Sequence, residues 1–175
     1  MIYSIDFETR SAIDLPDRGL DVYANDPTTE VLCIAAGTTP QNVWVYSPKE
    51  IAPAWMGGLL KHVAEGGKIQ AWNAMFEYAI WNCVCVPKYG WPELKLEQVI
   101  DTMAWAAANN IPQALEDAGT FLDTDYQKDT IGKKLIQKLC KPHKGVFNND
   151  KDLLMSLFEY CKQDVRTEMA IVSKL

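Results

Sequence analysis

The chain has 175 residues, of which 48% are hydrophobic and 23% charged, a mixture that suits one compact domain over residues 1–175. No stretch is apolar enough to cross a bilayer and the N-terminus lacks signal-peptide character, so we expect a cytoplasmic protein with no membrane partner. The net charge of −6 argues against tight non-specific binding of nucleic acid, but it is compatible with carboxylates that hold divalent cations.

The first half of the chain predicts alternating strands and helices. Apolar runs predict strands over residues 2–7, 30–37, 42–46 and 68–72. Residues 10–29 predict a loop with one turn of helix. Apolar residues at helical spacing predict helices over residues 49–65, which end at Gly66-Gly67, and over residues 74–84.

The second half of the chain is mostly helical in character. Amphipathic spacing predicts helices over residues 101–109, 113–122, 129–140 and 150–174. Pro112 and Pro142 act as breakers between them. Early strands, late helices and one helix crossing between strands predict an α/β fold, a mixed sheet flanked by helices with a helical C-terminal half.

Five cysteines stand at positions 33, 83, 85, 140 and 161. Only Cys83 and Cys85 are close in sequence, and a Cys-x-Cys pair without a second pair is a poor zinc signal. We therefore predict reduced thiols at all five positions.

The first candidate cluster is Asp6-Phe7-Glu8, at the end of the first predicted strand. Residues i and i+2 of a strand point to the same side, so Asp6 and Glu8 can face one metal site while Phe7 turns into the core. Taken alone, the pattern also describes a solvated strand end.

The second candidate cluster is Asn73-Ala74-Met75-Phe76-Glu77, directly after the strand at 68–72. Asn73 can cap the helix that follows, and Glu77 lies one turn further on the same face. In isolation this describes a capped helix with an exposed acid.

The third candidate cluster is Tyr160-Cys161-Lys162-Gln163-Asp164, in the last predicted helix. Tyr160 and Asp164 are four residues apart and share a face. A helix surface with an aromatic packing edge is the ordinary interpretation of such a pair.

The order of the three clusters is more specific than any one of them. An acid pair on the first strand, Asn-x-x-aromatic-acid after a later strand and Tyr-x-x-x-Asp on the closing helix resemble the three exonuclease motifs of the DEDD (DnaQ-like) superfamily, and the tyrosine marks its DEDDy branch. The opening YSIDFETRSAIDL and VYANDPTTEVLC are similar to the start of bacteriophage family A DNA polymerases. The similarity continues over essentially the whole chain through Ile100-Asp101-Thr102-Met103, Leu115-Glu116, Leu122, Lys128-Asp129 and Gly132-Lys133-Lys134-Leu135-Ile136.

This resemblance implies an RNase H-like fold and a proofreading 3′→5′ exonuclease that uses two divalent cations, Mg²⁺ or Mn²⁺. Asp6 would bridge both ions, and Glu8 and Asp164 would complete the site of the ion that activates water. Glu77 would serve the second ion, and Tyr160 would orient the attacking water. Two-metal hydrolysis requires hard oxygen ligands of this type.

The second motif of the superfamily usually ends in Asp, whereas this chain has Glu77. Glutamate keeps the charge and adds one methylene. Asp101 is the competing candidate, but its sequence context resembles a helix start, so Glu77 is preferred. The histidine branch of the superfamily is excluded because its His position is Glu159 here.

The resemblance also implies residues for substrate binding. Phe7, Thr9, Asn73 and Phe76 would shape the pocket for the terminal nucleotide, although Phe7 and Phe76 are more ordinary as core residues. Lys128, together with Lys133 and Lys134, could hold backbone phosphates, with a solvated helix face as the alternative for the last two.

Two alternatives stay open. The first is a freestanding exonuclease or exoribonuclease of the same fold, since no polymerase palm or fingers sequence follows Leu175. The second is a non-catalytic module that binds a nucleic-acid 3′ end or a partner protein. The partners implied by the resemblance are a single-stranded DNA 3′ end and a DNA polymerase domain, and a phage origin implies the host cytoplasm.

Overall fold

The computed structural model describes residues 1–126 and 132–175. The strands in these ranges are β1 (Ile2–Arg10), β2 (Glu30–Thr39), β3 (Asn42–Tyr46), β4 (Lys68–Ala71) and β5 (Val99–Asp101). The helices are α1 (Leu15–Arg18), α2 (Leu20–Asn25), α3 (Ala54–Ala64), α4 (Met75–Ile80), α5 (Val86–Tyr89), α6 (Thr102–Ala108), α7 (Leu115–Phe121), α8 (Gly132–Leu139) and α9 (Lys151–Val172). A π-helical segment, Trp81–Cys85, joins α4 to α5, and a 3₁₀ turn, Leu96–Gln98, precedes β5.

The five strands form one mixed sheet in the order β3-β2-β1-β4-β5. Strand β1 pairs antiparallel with β2 and parallel with β4, while β2–β3 is antiparallel and β4–β5 is parallel. Helices flank this sheet and dominate the C-terminal half, an architecture consistent with the RNase H-like fold. The predicted fold class is confirmed.

Strand β1 is central and is covered on both faces. Its apolar side chains, Ile5 and Phe7, enter the main core together with residues of α3, α4 and the π-helical segment. Its polar side chains turn to the other face, where α9 packs on the sheet. There β2 presents the small residues Cys33 and Ala35, which share a core cluster with Cys161 and Val165 of α9. Small side chains in β2 therefore allow α9 to lie close to β1.

Most predicted elements differ from the observed ones at their ends, whereas residues 10–29, predicted as a loop with one turn of helix, contain the two helices α1 and α2. Strand β1 continues through Arg10, so Asp6 and Glu8 lie inside the strand and not at its end. Helix α3 begins only after Pro53, because proline fits the start of a helix but not its interior. The sequence prediction missed β5, whose three residues are too few to show a period.

Among the described residues, no helix combines the length and the apolar character that a membrane span requires. All five cysteines are free thiols, and Cys33, Cys85, Cys140 and Cys161 are buried.

Candidate active site

One cleft of about 510 Å³ brings the sequence-predicted residues together. Its described lining includes residues of β1, of the turn after β4, of α4 and of α9. Nine of the predicted site residues lie there: Asp6, Phe7, Glu8, Thr9, Asn73, Phe76, Glu77, Tyr160 and Asp164. Lys128, the tenth, lies outside the described residues. Acids that are far apart in the sequence therefore line the same cleft.

The two acids of β1 face α9 because of strand alternation. Asp6 pairs with Ala35 and Glu8 with Cys33 of β2, and the register shifts directly after Glu8. The thiol of Cys161 donates to Asp6, with its Sγ 3.2 Å from Oδ2 and 3.4 Å from the main-chain oxygen. The Asp6 carboxylate is therefore held against the helix that also carries Asp164.

Glu77 is the buried acid of the second cluster. It lies in the first turn of α4, only 3% exposed, and its Oε2 atom has no hydrogen-bond partner among the described residues. Burial, with the nearby charge of Asp6 second, raises the pKa of Glu77 well above its usual value. By contrast, Asp101 caps α6, accepting from the amide of Ala104 at 3.0 Å, and lies outside the described lining of the cleft. The structure places Glu77, and not Asp101, in the cleft.

Asn73 reaches the cleft by a route that the sequence prediction got wrong. Helix α4 is capped by Ala74 and makes no side-chain cap bond, so Asn73 is not the cap. Asn73 instead adopts a left-handed conformation at φ +66, which asparagine tolerates better than most residues. Its carbonyl accepts from the amide of Phe76 at 3.1 Å. The resulting tight turn directs both residues into the cleft.

Tyr160 and Asp164 share one face of α9 and a hydrogen bond. Burial first, and then the charges of Asp164 and Glu8, raise the pKa of Tyr160 above its usual 10. The phenol therefore stays protonated and donates to the Asp164 carboxylate. A Cβ added at Gly132, the first residue of α8, would stand 2.1 Å from the Tyr160 ring. Gly132 thus leaves room for the Tyr160 ring against α8, a role that the sequence showed only as a glycine near a predicted helix start.

The predicted pocket residues have structural partners of their own. Phe7 is 4% exposed and belongs to the main core, although it also lines the cleft. The Thr9 hydroxyl lies 2.7 Å from the hydroxyl of Tyr23, and the ring of Tyr23 lies 6.3 Å from that of Phe76. Tyr23 lines the cleft as well and was missed from the sequence, where it stood in a predicted loop.

Helix α8 and the turn after it form another wall of the cleft. Ile136, Cys140 and Lys141 line it there. The Lys141 ammonium lies 3.0 Å from Oδ2 of Asp14, an acid that also lines the cleft. Residues 132–149 contain five lysines and no acid, in a chain whose net charge is −6. The lysines of this basic segment are Lys133, Lys134, Lys138, Lys141 and Lys144.

The chemistry of the cleft fits hard divalent cations. Its acidic side chains offer only oxygen ligands. Burial and the charge of Asp6 raise the pKa of Glu77, and a bound cation would favour the ionised form of this carboxyl group. Within residues 1–126 and 132–175, however, no three Asp, Glu, His or Cys side chains are arranged to hold an ion as they stand.

Fold and cleft together define an α/β domain with an acidic cleft on the central strand of a mixed sheet. No family model matches the chain. A DNA polymerase of Bacillus phage SP02 is 29% identical to it over 188 aligned positions, which cover 98% of this chain and 27% of that polymerase. The chain thus spans about a quarter of the length of that relative. The similarity supports a polymerase-associated domain of phage type.

Proposed function

We propose that this chain is a metal-dependent 3′→5′ exonuclease domain that removes nucleotides from the 3′ end of DNA and proofreads for a DNA polymerase. The observation that carries the proposal is the meeting of Asp6, Glu8, Glu77 and Asp164 with Tyr160 in one cleft. The similarity of the whole chain to part of a phage DNA polymerase supports the polymerase context of this proposal.

Hydrolysis of a phosphodiester requires an activated water, an in-line approach and stabilisation of the leaving 3′ oxygen. Two divalent cations, Mg²⁺ or Mn²⁺, held by Asp6, Glu8, Glu77 and Asp164, would supply the charge stabilisation and the activation of water. Tyr160 donates a hydrogen bond to Asp164, and a phenol oxygen can in addition accept a hydrogen bond from a water. Because its pKa is raised, Tyr160 orients the water and does not deprotonate it.

The terminal nucleotide would lie against the remaining walls of the cleft. Phe76 and Tyr23 offer aromatic surface, and Thr9 and Asn73 offer polar atoms. Stacking on aromatic rings is tolerant of base identity, as an exonuclease requires. The basic segment at residues 132–149 would receive the phosphates of the strand outside the cleft, which resolves the conflict between a net charge of −6 and a polyanionic substrate.

The test is digestion of a 5′-labelled single-stranded DNA with Mn²⁺, with Mg²⁺ and with chelator. We expect the wild type to shorten the DNA from its 3′ end only when a cation is present. Asp6→Ala and Asp164→Ala should remove the activity while circular dichroism shows an intact fold. Glu159→Ala, an exposed acid on the same helix, is the matched control and should leave the rate unchanged.

Glu77→Ala and Asp101→Ala separate the two candidates for the second acid. Loss of activity in Glu77→Ala, with activity kept in Asp101→Ala, is the expected result. The reverse pattern would show that the second motif is wrongly assigned. Full activity in Asp6→Ala would refute the site as a whole.

One alternative is a non-catalytic module that binds a 3′ end, because within residues 1–126 and 132–175 no three acids are arranged to hold an ion. Calorimetric titration with Mn²⁺ distinguishes the two functions, because a module without metal ligands takes up no cation. Digestion of matched DNA and RNA oligonucleotides separates the proposed activity from that of an exoribonuclease.

A further inference from the structure

Glu168 is an acid that the proposed reaction does not use. It lies on α9, one turn beyond Asp164, and is 2% exposed. It is not among the described residues that line the cleft. A carboxyl group without water is costly unless hydrogen bonds compensate it. The hydrogen-bond partners of the Glu168 carboxyl group therefore indicate the structural role of this residue.

The partners of Glu168 come from two other parts of the sheet. Its Oε1 lies 2.7 Å from the hydroxyl of Thr102, which in turn lies 2.9 Å from the carbonyl of Ala71, the last residue of β4. Its carboxyl also shares a hydrogen bond with Ser4 of β1, and the Ser4 hydroxyl accepts from the side-chain amide of Gln70 at 2.8 Å. One side chain of α9 is thus joined to β1 and, through Thr102, to β4.

These are the elements that deliver the acids of the cleft. Ser4 lies two residues before Asp6 on the same face of β1. Ala71 lies at the end of β4, from which the chain turns through Asn73 into α4 and Glu77. Glu168 is itself one helical turn from Asp164. The hydrogen bonds of Glu168 therefore tie together the segments that carry all three candidate motifs.

The repeat distances of the polar residues along α9 and along β1 explain why Glu168 lies next to Ser4. In α9 the residues Tyr160, Asp164 and Glu168 recur every four positions, which advance about 6 Å along a helix. In β1 the polar face recurs every two residues, which advance about 6.6–6.8 Å along a strand. The two steps are nearly equal, so the Ser4–Glu168 pair continues the alignment of α9 with the acids of β1.

The hydroxyl of Thr102 indicates the protonation state of Glu168. This hydroxyl has one hydrogen and two close oxygen neighbours, Ala71 O and Glu168 Oε1. A carbonyl and a carboxylate can only accept, so the single Thr102 hydrogen serves both neighbours unless Glu168 carries a proton of its own. Burial, opposed by the Thr102 hydrogen bond and aided by the charge of Asp6, raises the pKa of Glu168 to about 8. Burial outweighs the hydrogen bonds from Thr102 and Ser4, so the neutral carboxylic acid is favoured below that pH.

We propose that Glu168 is a positioning residue, a neutral carboxylic acid that cross-links β1, β4 and α9 and so fixes the relative places of Asp6, Glu77 and Asp164. This inference rests on the proposed function. It differs from a further metal ligand, because a ligand must be ionised whereas this cross-link is made by the neutral acid.

The distinguishing experiment compares Glu168→Gln with Glu168→Ala in the same chain. Glutamine is neutral and keeps one donor and one acceptor, so we expect its kcat on single-stranded DNA and its Mn²⁺ affinity to stay within about twofold of the wild type. Alanine removes the cross-link, and misplaced ligands should lower kcat by roughly 10- to 100-fold with KM for the DNA little changed. Its Mn²⁺ affinity by calorimetry should fall as well.

Thr102→Val keeps the shape of the side chain and removes only the hydroxyl, so it replaces Glu168→Ala if that variant fails to fold. We expect it to lower kcat and Mn²⁺ affinity in the same direction. Glu159→Gln, on an exposed face of α9, is the control and should match the wild type.

Each outcome has a defined meaning. An inactive Glu168→Gln would overturn the neutral cross-link, since a charged ligand would then be required. Folded Glu168→Ala, or Thr102→Val, with wild-type kcat and Mn²⁺ affinity would also overturn it. A wild type that binds no Mn²⁺ would refute the proposed function and this inference together. If the wild type is active, the Glu168 variants test this inference separately from the proposed function.

Discussion

The Tyr160 side chain shows how one residue depends on several neighbours. Its hydroxyl bonds to Asp164, its ring lies against Gly132, and burial keeps the phenol protonated. A protonated phenol can hold a carboxylate and a water at the same time. The geometry of α9 and α8, and not the acidity of the phenol, therefore sets its role in the proposed reaction.

Tyr160→Phe should lower kcat by about 10- to 100-fold, the scale of one lost hydrogen bond to a charged group. Single-turnover digestion of labelled DNA measures this change, and thermal unfolding checks the fold. Tyr78→Phe is the control, because Tyr78 lies outside the described lining of the cleft. An unchanged single-turnover rate in Tyr160→Phe would exclude the orienting role.

At the scale of elements, the contact between α8 and α9 decides where Tyr160 lies. Helix α8 begins at Gly132, and its Leu135 and Leu139 share a core cluster with Leu157 and Tyr160 of α9. A side chain at residue 132 would overlap the ring. Helix α8 thus acts on the candidate site without supplying a ligand to it.

Gly132→Ala should displace the Tyr160 ring, lower kcat, and cost about 1–3 kcal/mol of unfolding free energy through overpacking. Kinetics and urea unfolding measure the two effects. Gly57→Ala, on α3 where an added Cβ meets nothing within 4 Å, should leave kcat unchanged. In a Tyr160→Ala background, Gly132→Ala should change kcat and the free energy of unfolding very little. A full effect in that background would show that Gly132→Ala does not act through the Tyr160 ring.

The burial of Glu168 between α9 and the sheet makes stability depend on pH. The pKa of Glu168 is raised from 4.5 to about 8 on folding, with Asp6 and Asp101 the charges that add to the effect of burial. A raised pKa in the folded state stabilises fully below the unfolded value and is lost as pH rises toward the folded value. Glu168 should therefore stabilise the protein less at pH 8 than at pH 5.

Urea unfolding of the metal-free protein measures this dependence. Between pH 5 and pH 8 the wild type should lose stability relative to Glu168→Gln, whose side chain does not titrate. Glu159→Gln, an exposed control, should run parallel to the wild type across that range. Parallel curves for Glu168→Gln would contradict the raised pKa.

At the scale of the whole molecule, charge is distributed unevenly. The chain is acidic overall, and the cleft collects acids, yet residues 132–149 carry five lysines without an acid. Lys141 belongs to both regions, because it lines the cleft and pairs with Asp14. This distribution would direct a polyanionic strand along one side of the cleft.

Lys141→Ala should weaken binding of single-stranded DNA and reduce the slope of log affinity against log salt by about 0.7, the value for one lost phosphate contact. Fluorescence anisotropy in chelator, where no hydrolysis occurs, measures the slope. Lys61→Ala, an exposed lysine of α3 that pairs with Glu65, should leave the slope unchanged. Equal slopes for Lys141→Ala and the wild type would exclude the phosphate contact.

The sequence predicted the fold class and the elements that carry the acids, because β1 and α9 are long and α4 directly follows a strand with a clear apolar run. It failed where local signals are short or ambiguous. Strand β5 has three residues, and Asn73 has the side chain of a cap but lies in a left-handed turn. Glu168 could have been found from its spacing of four after Asp164, although only packing shows what it bonds to.

Because the polar residues of α9 and of β1 recur at nearly equal distances, neither element can gain or lose a residue without disturbing their alignment. One residue inserted between Ser4 and Glu8 would turn the acids of the strand to the apolar face. One residue inserted between Tyr160 and Glu168 would rotate part of the helix by about 100° away from the strand. Homologous chains can therefore gain or lose residues in the surface turns, while these two short stretches must keep their length.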